Sequence, residues 1–245
     1  MQVNLPYIGI MLCAPVAAYG ASRLGRSAPS PLQLTPMQRL GIALGAFCGS
    51  MVLAKIPYLL MDPEGLRTGH AWLENGKTIT FGLVGGYLGV EYAKYSLGIR
   101  QKTGDAFAVP AAVAIAIGRI ACFVGGCCYG TPTNLPWAVR FGDGIPRHPT
   151  QLFESAFHVG MAVLLYQLRQ REIFRGNLIK FYFLSYFAYR FVTEYIRPEP
   201  RLLLNLTLYQ WSALVFAPLF AALWWRDAHI SRSTTGLARK NIIIP

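Results

Sequence analysis

The sequence predicts an all-α integral membrane protein with about seven transmembrane helices in a single domain over residues 1–245. Hydrophobic residues make up 53% of the chain and charged residues only 14%, whereas soluble domains carry about 25% charged residues. Most of the surface therefore suits contact with lipid. The net charge of +12 does not indicate nucleic-acid binding, because the basic residues lie in short clusters between apolar runs.

Seven apolar runs approach the length of about 20 residues that a membrane-crossing helix needs. They cover residues 7–22, 40–61, 79–97, 106–129, 150–168, 178–196 and 206–225. Connectors rich in proline, glycine and serine separate them, such as residues 26–31 and 130–136, and these residue types interrupt helices. The remaining residues, 226–245, are basic and are predicted to form a cytosolic tail that lies on anionic lipid.

The distribution of lysine and arginine predicts the orientation, because basic residues favour the cytoplasmic side of the membrane. Most of them fall in alternate connectors: Arg23, Arg26, Arg39, Lys94, Arg100, Lys102, Arg169, Arg171, Arg175, Lys180, Arg226, Arg232, Arg239 and Lys240. The intervening connectors hold fewer: Arg67, Lys77, Arg140, Arg147, Arg197 and Arg201. The N-terminus is therefore predicted to lie outside and the C-terminus in the cytosol, with residues 131–149 and 197–205 on the outer face.

Several ionisable residues lie within the apolar runs, where each costs at least about 2.5 kcal/mol near the centre of a helix. Arg119 is in the fourth run, and Arg190 and Glu194 are in the sixth. The spacing of Arg190, Glu194 and Arg197 places them on one helical face. They form either an ion network that locks helices together or an anion site. In the second hypothesis, a phospholipid phosphate neutralises the excess positive charge.

Residues 125–130 are predicted to end the fourth helix, because the glycines there permit unusual backbone angles. Further on, two prolines bracket Arg147 and His148, and would hold them at the membrane surface, where imidazole can move protons. Thr150 is predicted to cap the fifth helix, with Glu154 near the positive end of its dipole. The alternatives are a structural role for His148 and helix stabilisation alone for Glu154.

Four ordered motifs resemble those of the prolipoprotein diacylglyceryl transferase family. They are Gly118-Arg119-Ile120, the run from Tyr129 to Thr133, the run from Pro146 to Glu154, and the set Arg190, Glu194 and Arg197. The resemblance is good over about residues 118–200 and extends across a family-like core at residues 79–225. Earlier residues match the family only in topology.

This resemblance implies a multi-pass protein of the bacterial cytoplasmic (inner) membrane with its active site on the outer side. Members of the family move the diacylglyceryl group of phosphatidylglycerol to the cysteine thiol of a lipoprotein precursor and release glycerol phosphate. The implied partners are a phosphatidylglycerol-like lipid and a lipoprotein precursor or other thiol acceptor, without a metal or cofactor. Arg119 and Arg190 would hold the lipid phosphate, because fixed guanidinium groups stabilise the charge of a departing phosphate.

The candidate site residues follow from this resemblance together with the chemistry of the motifs. The candidate catalytic residues are Arg119, Arg190, His148, Cys122, Cys127 and Glu194. The candidate substrate-binding residues are Arg147, Arg197, Tyr129, Gly130, Gln151, Glu154, Gly85 and Gly86.

Three positions depart from the family pattern. Cys122 replaces an asparagine, Cys127 replaces a glutamate, and Val84 replaces a histidine of the third helix that is a proposed proton acceptor. Cys122, Cys127 and Cys128 could be inert packing residues or could include a working thiolate, since Arg119 supplies positive charge three residues before Cys122. Such a thiol could accept a lipid group covalently, sense the redox state, or bind a soft metal ion with Cys127 and His148. The metal site is the least favoured alternative, because the cysteine spacing is not a familiar zinc pattern.

Three functional hypotheses follow. The first is a membrane transferase that moves a lipid-derived group from a phosphorylated donor to a thiol or other acceptor. The second is a protein of the same fold without catalytic activity, which binds a phospholipid and whose arginines hold the headgroup without cleaving it. The third is a thiol-redox membrane protein that uses Cys122, Cys127 and Cys128.

Overall fold

The computed structural model describes residues 4–23, 34–70 and 76–240, and these residues are mostly helical. The elements in chain order are α1 (Leu5–Arg23), α2 (Pro36–Met61), α3 (Pro63–Thr68), α4 (Ile79–Ser96), α5 (Gly104–Val124), β1 (Val139–Arg140), β2 (Pro146–Arg147), α6 (Thr150–Gln170), α7 (Leu178–Thr193) and α8 (Leu208–Lys240). Short 3-10 helices lie at Glu194–Ile196 and Leu203–Asn205. A helix therefore occupies each of the apolar runs predicted from the sequence.

Four of these helices are long and apolar enough to cross a membrane. They are Leu5–Arg23, Pro36–Leu60, Gly104–Val124 and Leu208–His229, among the described residues. This finding supports a helical membrane protein. The crossing of the membrane by α4, α6 and α7, and the external N-terminus, stay predictions.

Two helix ends differ from the predicted bounds. Helix α5 ends at Val124, because Gly126 and Cys128 adopt left-handed backbone angles, with φ of 64° and 61°. The predicted break after the fourth run is therefore confirmed, although the helix does not reach residue 129. Helix α8 continues to Lys240, so that most of the predicted tail is helical. Residues 26–31 and 241–245 lie outside the described residues.

The chain divides into two compact units. One unit contains α2, α3 and α4, and the other contains α1, α5, α6, α7 and most of α8. The single domain over residues 1–245 stays a prediction.

Helices α2 and α4 pack through facing glycines at close range. A Cβ atom added to Gly45 would lie 2.5 Å from the Gly89 carbonyl oxygen, and one added to Gly85 would lie 2.5 Å from Leu53 Cβ. Gly49 faces the Gly85 carbonyl at even closer range. Small residues allow two helix backbones to approach in this way, which is a common basis of helix association in membranes.

In the other unit, α5 packs against α1, α6 and α7. The core of this unit is aromatic, since Tyr182, Phe183, Tyr186 and Phe187 of α7 are all buried. The ring of Phe220 from α8 lies 5.1 Å from that of Phe183 in an edge-to-face arrangement.

Polar contacts join the beginnings of α5 and α7 to α8. The Asp105 carboxylate in the first turn of α5 accepts hydrogen bonds from the backbone N–H groups of Gly176 and Leu178, the second at 3.0 Å. The Lys180 ammonium pairs with Asp227 of α8 at 2.6 Å. These contacts, which we call the Asp105 clamp, fix one end of the unit.

Candidate functional site

Glu154 in the second turn of α6 is the centre of a buried charged cluster, with only 1% of its side chain exposed. Its Oε2 atom lies 2.6 Å from Arg119 Nη2. The same oxygen lies 3.8 Å from Arg190 Nη1 and 4.0 Å from Arg197 Nη1. The hydroxyl of Tyr186 donates a hydrogen bond of 2.8 Å to the other oxygen, Oε1. We call these residues, together with Glu194, the Glu154 cluster.

The predicted pairing of Arg190 with Glu194 is present, at 3.0 Å between Nη2 and Oε2. Arg197 differs from the prediction of a continuous helical face. It follows the 3-10 turn in an extended conformation, with φ of −112° and ψ of 146°. Its guanidinium therefore turns toward Glu154 and also approaches Glu199 at 3.5 Å.

The cluster carries an excess of positive charge. Three guanidinium groups face two fully buried carboxylates, Glu154 and Glu194, while the third acid, Glu199, has 28% of its side chain exposed. Within the described part of the chain, the buried Nε–H groups of Arg119 and Arg197 have no hydrogen-bond partner. The ion network of the first sequence hypothesis thus exists, and the anion site of the second hypothesis stays a prediction.

The first turn of α6 binds the loop that follows α5. Gln151 Nε2 donates to the Cys127 carbonyl at 2.5 Å, and the Thr150 hydroxyl donates to the Cys128 carbonyl at 2.9 Å. The prediction that Thr150 caps α6 is wrong, because Pro149 is the N-cap and Thr150 is already helical. Arg197 Nη1 also donates to the Cys128 carbonyl, at 3.3 Å. The loop is thereby connected to the Glu154 cluster.

Gly130 is required by the backbone packing at this point. Its N–H donates to the His148 carbonyl at 2.8 Å. An added Cβ atom would lie 2.6 Å from the Ile196 carbonyl oxygen and 2.8 Å from Thr150 Cγ2. A side chain at this position would push apart the segments that bring Arg197 to Glu154.

The thiols of Cys122, Cys127 and Cys128 meet at the end of α5, with all three sulfur atoms within 4.8 Å of one another. All three cysteines are free. Hydrogen bonding with the thiols of Cys122 and then Cys127 lowers the pKa of the Cys128 thiol. Hydrogen bonding with Cys122 and then Cys128 raises the pKa of the Cys127 thiol. The Cys127 thiol also donates to the Cys122 carbonyl at 3.6 Å.

Arg147 and His148 lie in and beside the two-stranded hairpin of β1 and β2. Arg147 pairs with Asp143 at 2.8 Å and covers the ring of Tyr129, at 4.8 Å from its centroid. His148 Nδ1 accepts a hydrogen bond of 3.3 Å from Trp137 Nε1. As far as the structure describes side chains, neither residue bonds to the Glu154 cluster, so the structure does not bring them into it. Their functional roles stay predictions.

Gly85 and Gly86 lie on α4, in the unit that does not contain the Glu154 cluster. Gly85 serves the close packing of α4 on α2, and a Cβ atom on Gly86 would lie 2.6 Å from Ser50 Oγ. Substrate binding by these glycines stays a prediction.

Sequence reasoning missed Tyr186, Tyr182 and His158. His158 is completely buried one turn after Glu154, and its Nδ1 atom shares a hydrogen bond of 2.8 Å with the Tyr182 hydroxyl. In the described residues, His158 Nε2 has no hydrogen-bond partner. The available signal was the spacing of four residues from Glu154 to His158 and from Tyr182 to Tyr186, which places each pair on one helix face.

Comparison with known proteins gives one family. The prolipoprotein diacylglyceryl transferase family matches residues 6–226 of this chain. A protein of Solidesulfovibrio magneticus named phosphatidylglycerol–prolipoprotein diacylglyceryl transferase is 32% identical over 224 residues, which cover 82% of this chain and 80% of that protein. A protein of the same name from Clostridium tetani is 31% identical over 174 residues, covering 65% of this chain and 68% of that protein.

Proposed function

The chain belongs to the prolipoprotein diacylglyceryl transferase family, and from this premise we propose that it moves a diacylglyceryl group from a phosphatidylglycerol-like donor to a thiol acceptor. Family membership makes the chain a transferase. The named relatives support a lipoprotein precursor as the acceptor. We further propose a bacterial inner-membrane location with the site on the outer side, as the distribution of basic residues predicts.

The observation that carries this proposal is the convergence of three arginines on Glu154. Their excess positive charge and the unpaired Nε–H groups of Arg119 and Arg197 suit a phosphate that approaches the cluster. Arginine remains charged in a buried site, whereas lysine can lose its proton there. The cluster is thus suited to hold the headgroup phosphate of a lipid.

The proposed reaction uses this charge when the donor is cleaved. The acceptor sulfur attacks the glycerol carbon that bears the phosphate oxygen, so that a C–S bond forms and the C–O bond breaks. Glycerol phosphate leaves with the electron pair of the broken bond and gains negative charge. Fixed guanidinium groups stabilise that charge without reorganisation, which is the usual origin of a large rate enhancement.

The thiol proton needs an acceptor, and Val84 cannot supply one. His158 is better placed than His148 to accept this proton, because it is buried one turn from Glu154. Its Nε2 atom has no hydrogen-bond partner in the described residues. When Nδ1–H donates to the Tyr182 oxygen, Nε2 presents a free lone pair. Glu154 then stabilises the imidazolium that forms.

Replacing His158 with glutamine is expected to lower the transfer rate by about 100-fold, the usual contribution of a general base. The pH–rate profile should lose its acidic limb, which a purely structural role would not affect. His148→Gln is the matched control and should retain most of the activity. An unchanged rate in His158→Gln, or a loss confined to His148→Gln, would exclude His158 as the base.

The transferase proposal is tested with the purified full chain, phosphatidylglycerol micelles and a synthetic lipoprotein signal peptide that contains one cysteine. We expect equal amounts of glycerol phosphate and thioether-linked peptide. Arg119→Ala and Arg190→Ala should each lower the rate by about 100-fold or more, as loss of a charge-stabilising donor does. Arg140→Ala is the control, since the Arg140 side chain is exposed and donates to the nearby Gly144 carbonyl, outside the Glu154 cluster.

Two other outcomes identify the alternative functions. Phosphatidylglycerol binding that depends on Arg190 but yields no product indicates a lipid-binding protein without turnover. The third alternative, a thiol-redox protein, is favoured by the proximity of the three thiols. It predicts that Cys127→Ser abolishes function while Arg190→Ala leaves it largely intact.

A further inference from the structure

The three thiols at the end of α5 lie at a spacing close to that of metal ligands. Their sulfur atoms are all within 4.8 Å of one another. A zinc–sulfur bond of about 2.3 Å places two tetrahedral thiolate ligands about 3.8 Å apart, and two opposite ligands at most about 4.6 Å apart. Rotation of the cysteine side chains that moves each sulfur atom by less than about 1 Å would bring the sulfur–sulfur distances to those of metal ligands.

The backbone that carries these thiols is held from two sides. Cys122 belongs to the last turn of α5, while Cys127 and Cys128 follow the helix end. The carbonyl groups of Cys127 and Cys128 are bonded by Gln151, Thr150 and Arg197. Cys128 is thereby kept at a φ of 61°, which a residue other than glycine adopts only at a cost. The backbone that carries the thiols is therefore held in place without a ligand.

The electrostatic surroundings favour sulfur in its anionic form, which is the form that binds metals. Arg197 Nη1 donates to the Cys128 carbonyl at 3.3 Å, and Arg119 lies one turn before Cys122 on α5, so that two guanidinium groups lie near the thiols. Three thiolates around a divalent ion leave one negative charge, and these two guanidinium groups can offset it. Soft thiolate ligands select soft metal ions with filled d shells over Mg²⁺ or Ca²⁺.

We propose that Cys122, Cys127 and Cys128 form a binding site for a thiophilic metal ion of the Zn²⁺, Cd²⁺ or Cu⁺ class. Binding displaces the thiol protons to solvent and joins the end of α5 to the loop that follows it. Because Gln151 and Arg197 hold that same loop, the bound ion fixes the position of Arg197 in the Glu154 cluster. The ligands of this proposed site are three thiols, whereas the soft-metal alternative from the sequence included His148.

The test uses the purified, reduced full chain in detergent and Cd²⁺ as the probe. We expect one equivalent of Cd²⁺ to bind and to produce the ultraviolet charge-transfer absorption of cadmium thiolates. Cys122→Ser, Cys127→Ser and Cys128→Ser should each weaken binding at least about tenfold. Cys13→Ser and Cys48→Ser are the controls, because both remove a free thiol outside the cluster, and they should change nothing.

A second measurement needs no variant and so does not depend on folding of the serine forms. Bound Cd²⁺ should protect Cys122, Cys127 and Cys128 of the unaltered protein from alkylation, but not Cys13 or Cys48, as mapped by mass spectrometry. Equal protection of all five thiols would overturn the proposal, as would a charge-transfer band that survives in the triple serine variant. Both readouts report binding, so their failure is distinguishable from the absence of transferase activity.

Discussion

Replacing Glu154 with glutamine is expected to abolish transfer and to destabilise the protein by about 3 to 5 kcal/mol, the usual cost of removing one partner from a buried ion pair. Glu154 is the carboxylate on which Arg119, Arg190 and Arg197 converge. A neutral amide leaves their charges in repulsion inside the protein. The measurements are the apparent Tm in detergent and the rate of glycerol phosphate release.

Glu199→Gln is the matched control for this substitution. Glu199 approaches Arg197 at 3.5 Å but is partly exposed, so its removal should cost less than about 1 kcal/mol. Phosphatidylglycerol should restore part of the lost stability of Glu154→Gln, because its phosphate supplies a new anion to the arginines, whereas phosphatidylcholine should restore less. A Glu154→Gln protein with unaltered Tm and activity would contradict the role assigned to this carboxylate.

Replacing Gly49 with alanine is expected to destabilise the contact between α2 and α4 by about 1 to 3 kcal/mol, the range of an overpacked core. The added methyl group meets the backbone carbonyl of Gly85, which cannot move aside as a flexible side chain would. The two helices must separate along their contact. The change is measured as a lower apparent Tm and as a smaller monodisperse fraction in gel filtration.

Gly82→Ala is the control, because its Cβ atom would lie 3.5 Å from Ala54 Cβ, an ordinary van der Waals distance. Alanine also favours a helix more than glycine does, so this variant should be unchanged or slightly more stable. Equal stability of the Gly49→Ala and Gly82→Ala proteins would show that the glycines do not set the approach of the helices.

The sequence predicted those features that depend on residue type and spacing. Arg119 and Arg190 were identified because charge within an apolar run is costly, and the structure brings both to one carboxylate. The end of α5 was predictable from Gly125 and Gly126, which allow the chain to leave the helix.

Features that depend on contacts between distant segments could not be predicted in this way. From the sequence, Glu154 was interpreted as a residue near the beginning of a helix. Only the packing of α5 and α7 on α6 reveals its three arginine partners. Thr150 was expected to cap a helix, but its hydroxyl instead donates a hydrogen bond to the Cys128 carbonyl of a distant segment. The spacing of the cysteines along the chain gave no indication that a left-handed turn at Cys128 would bring three thiols together.

The Asp105 clamp bears on where α5, α7 and α8 can separate from one another. At about 1.5 Å per residue, Arg119 lies about 20 Å further along α5 than Asp105, so the clamp and the arginines occupy opposite ends of the helix. Because these contacts join α5, α7 and α8 at one end, we expect any separation of these helices to occur at the end that holds the arginines. We expect a phospholipid donor to enter laterally between the helices at that end. A cross-link there should trap the headgroup, whereas a cross-link across the Asp105 clamp should not.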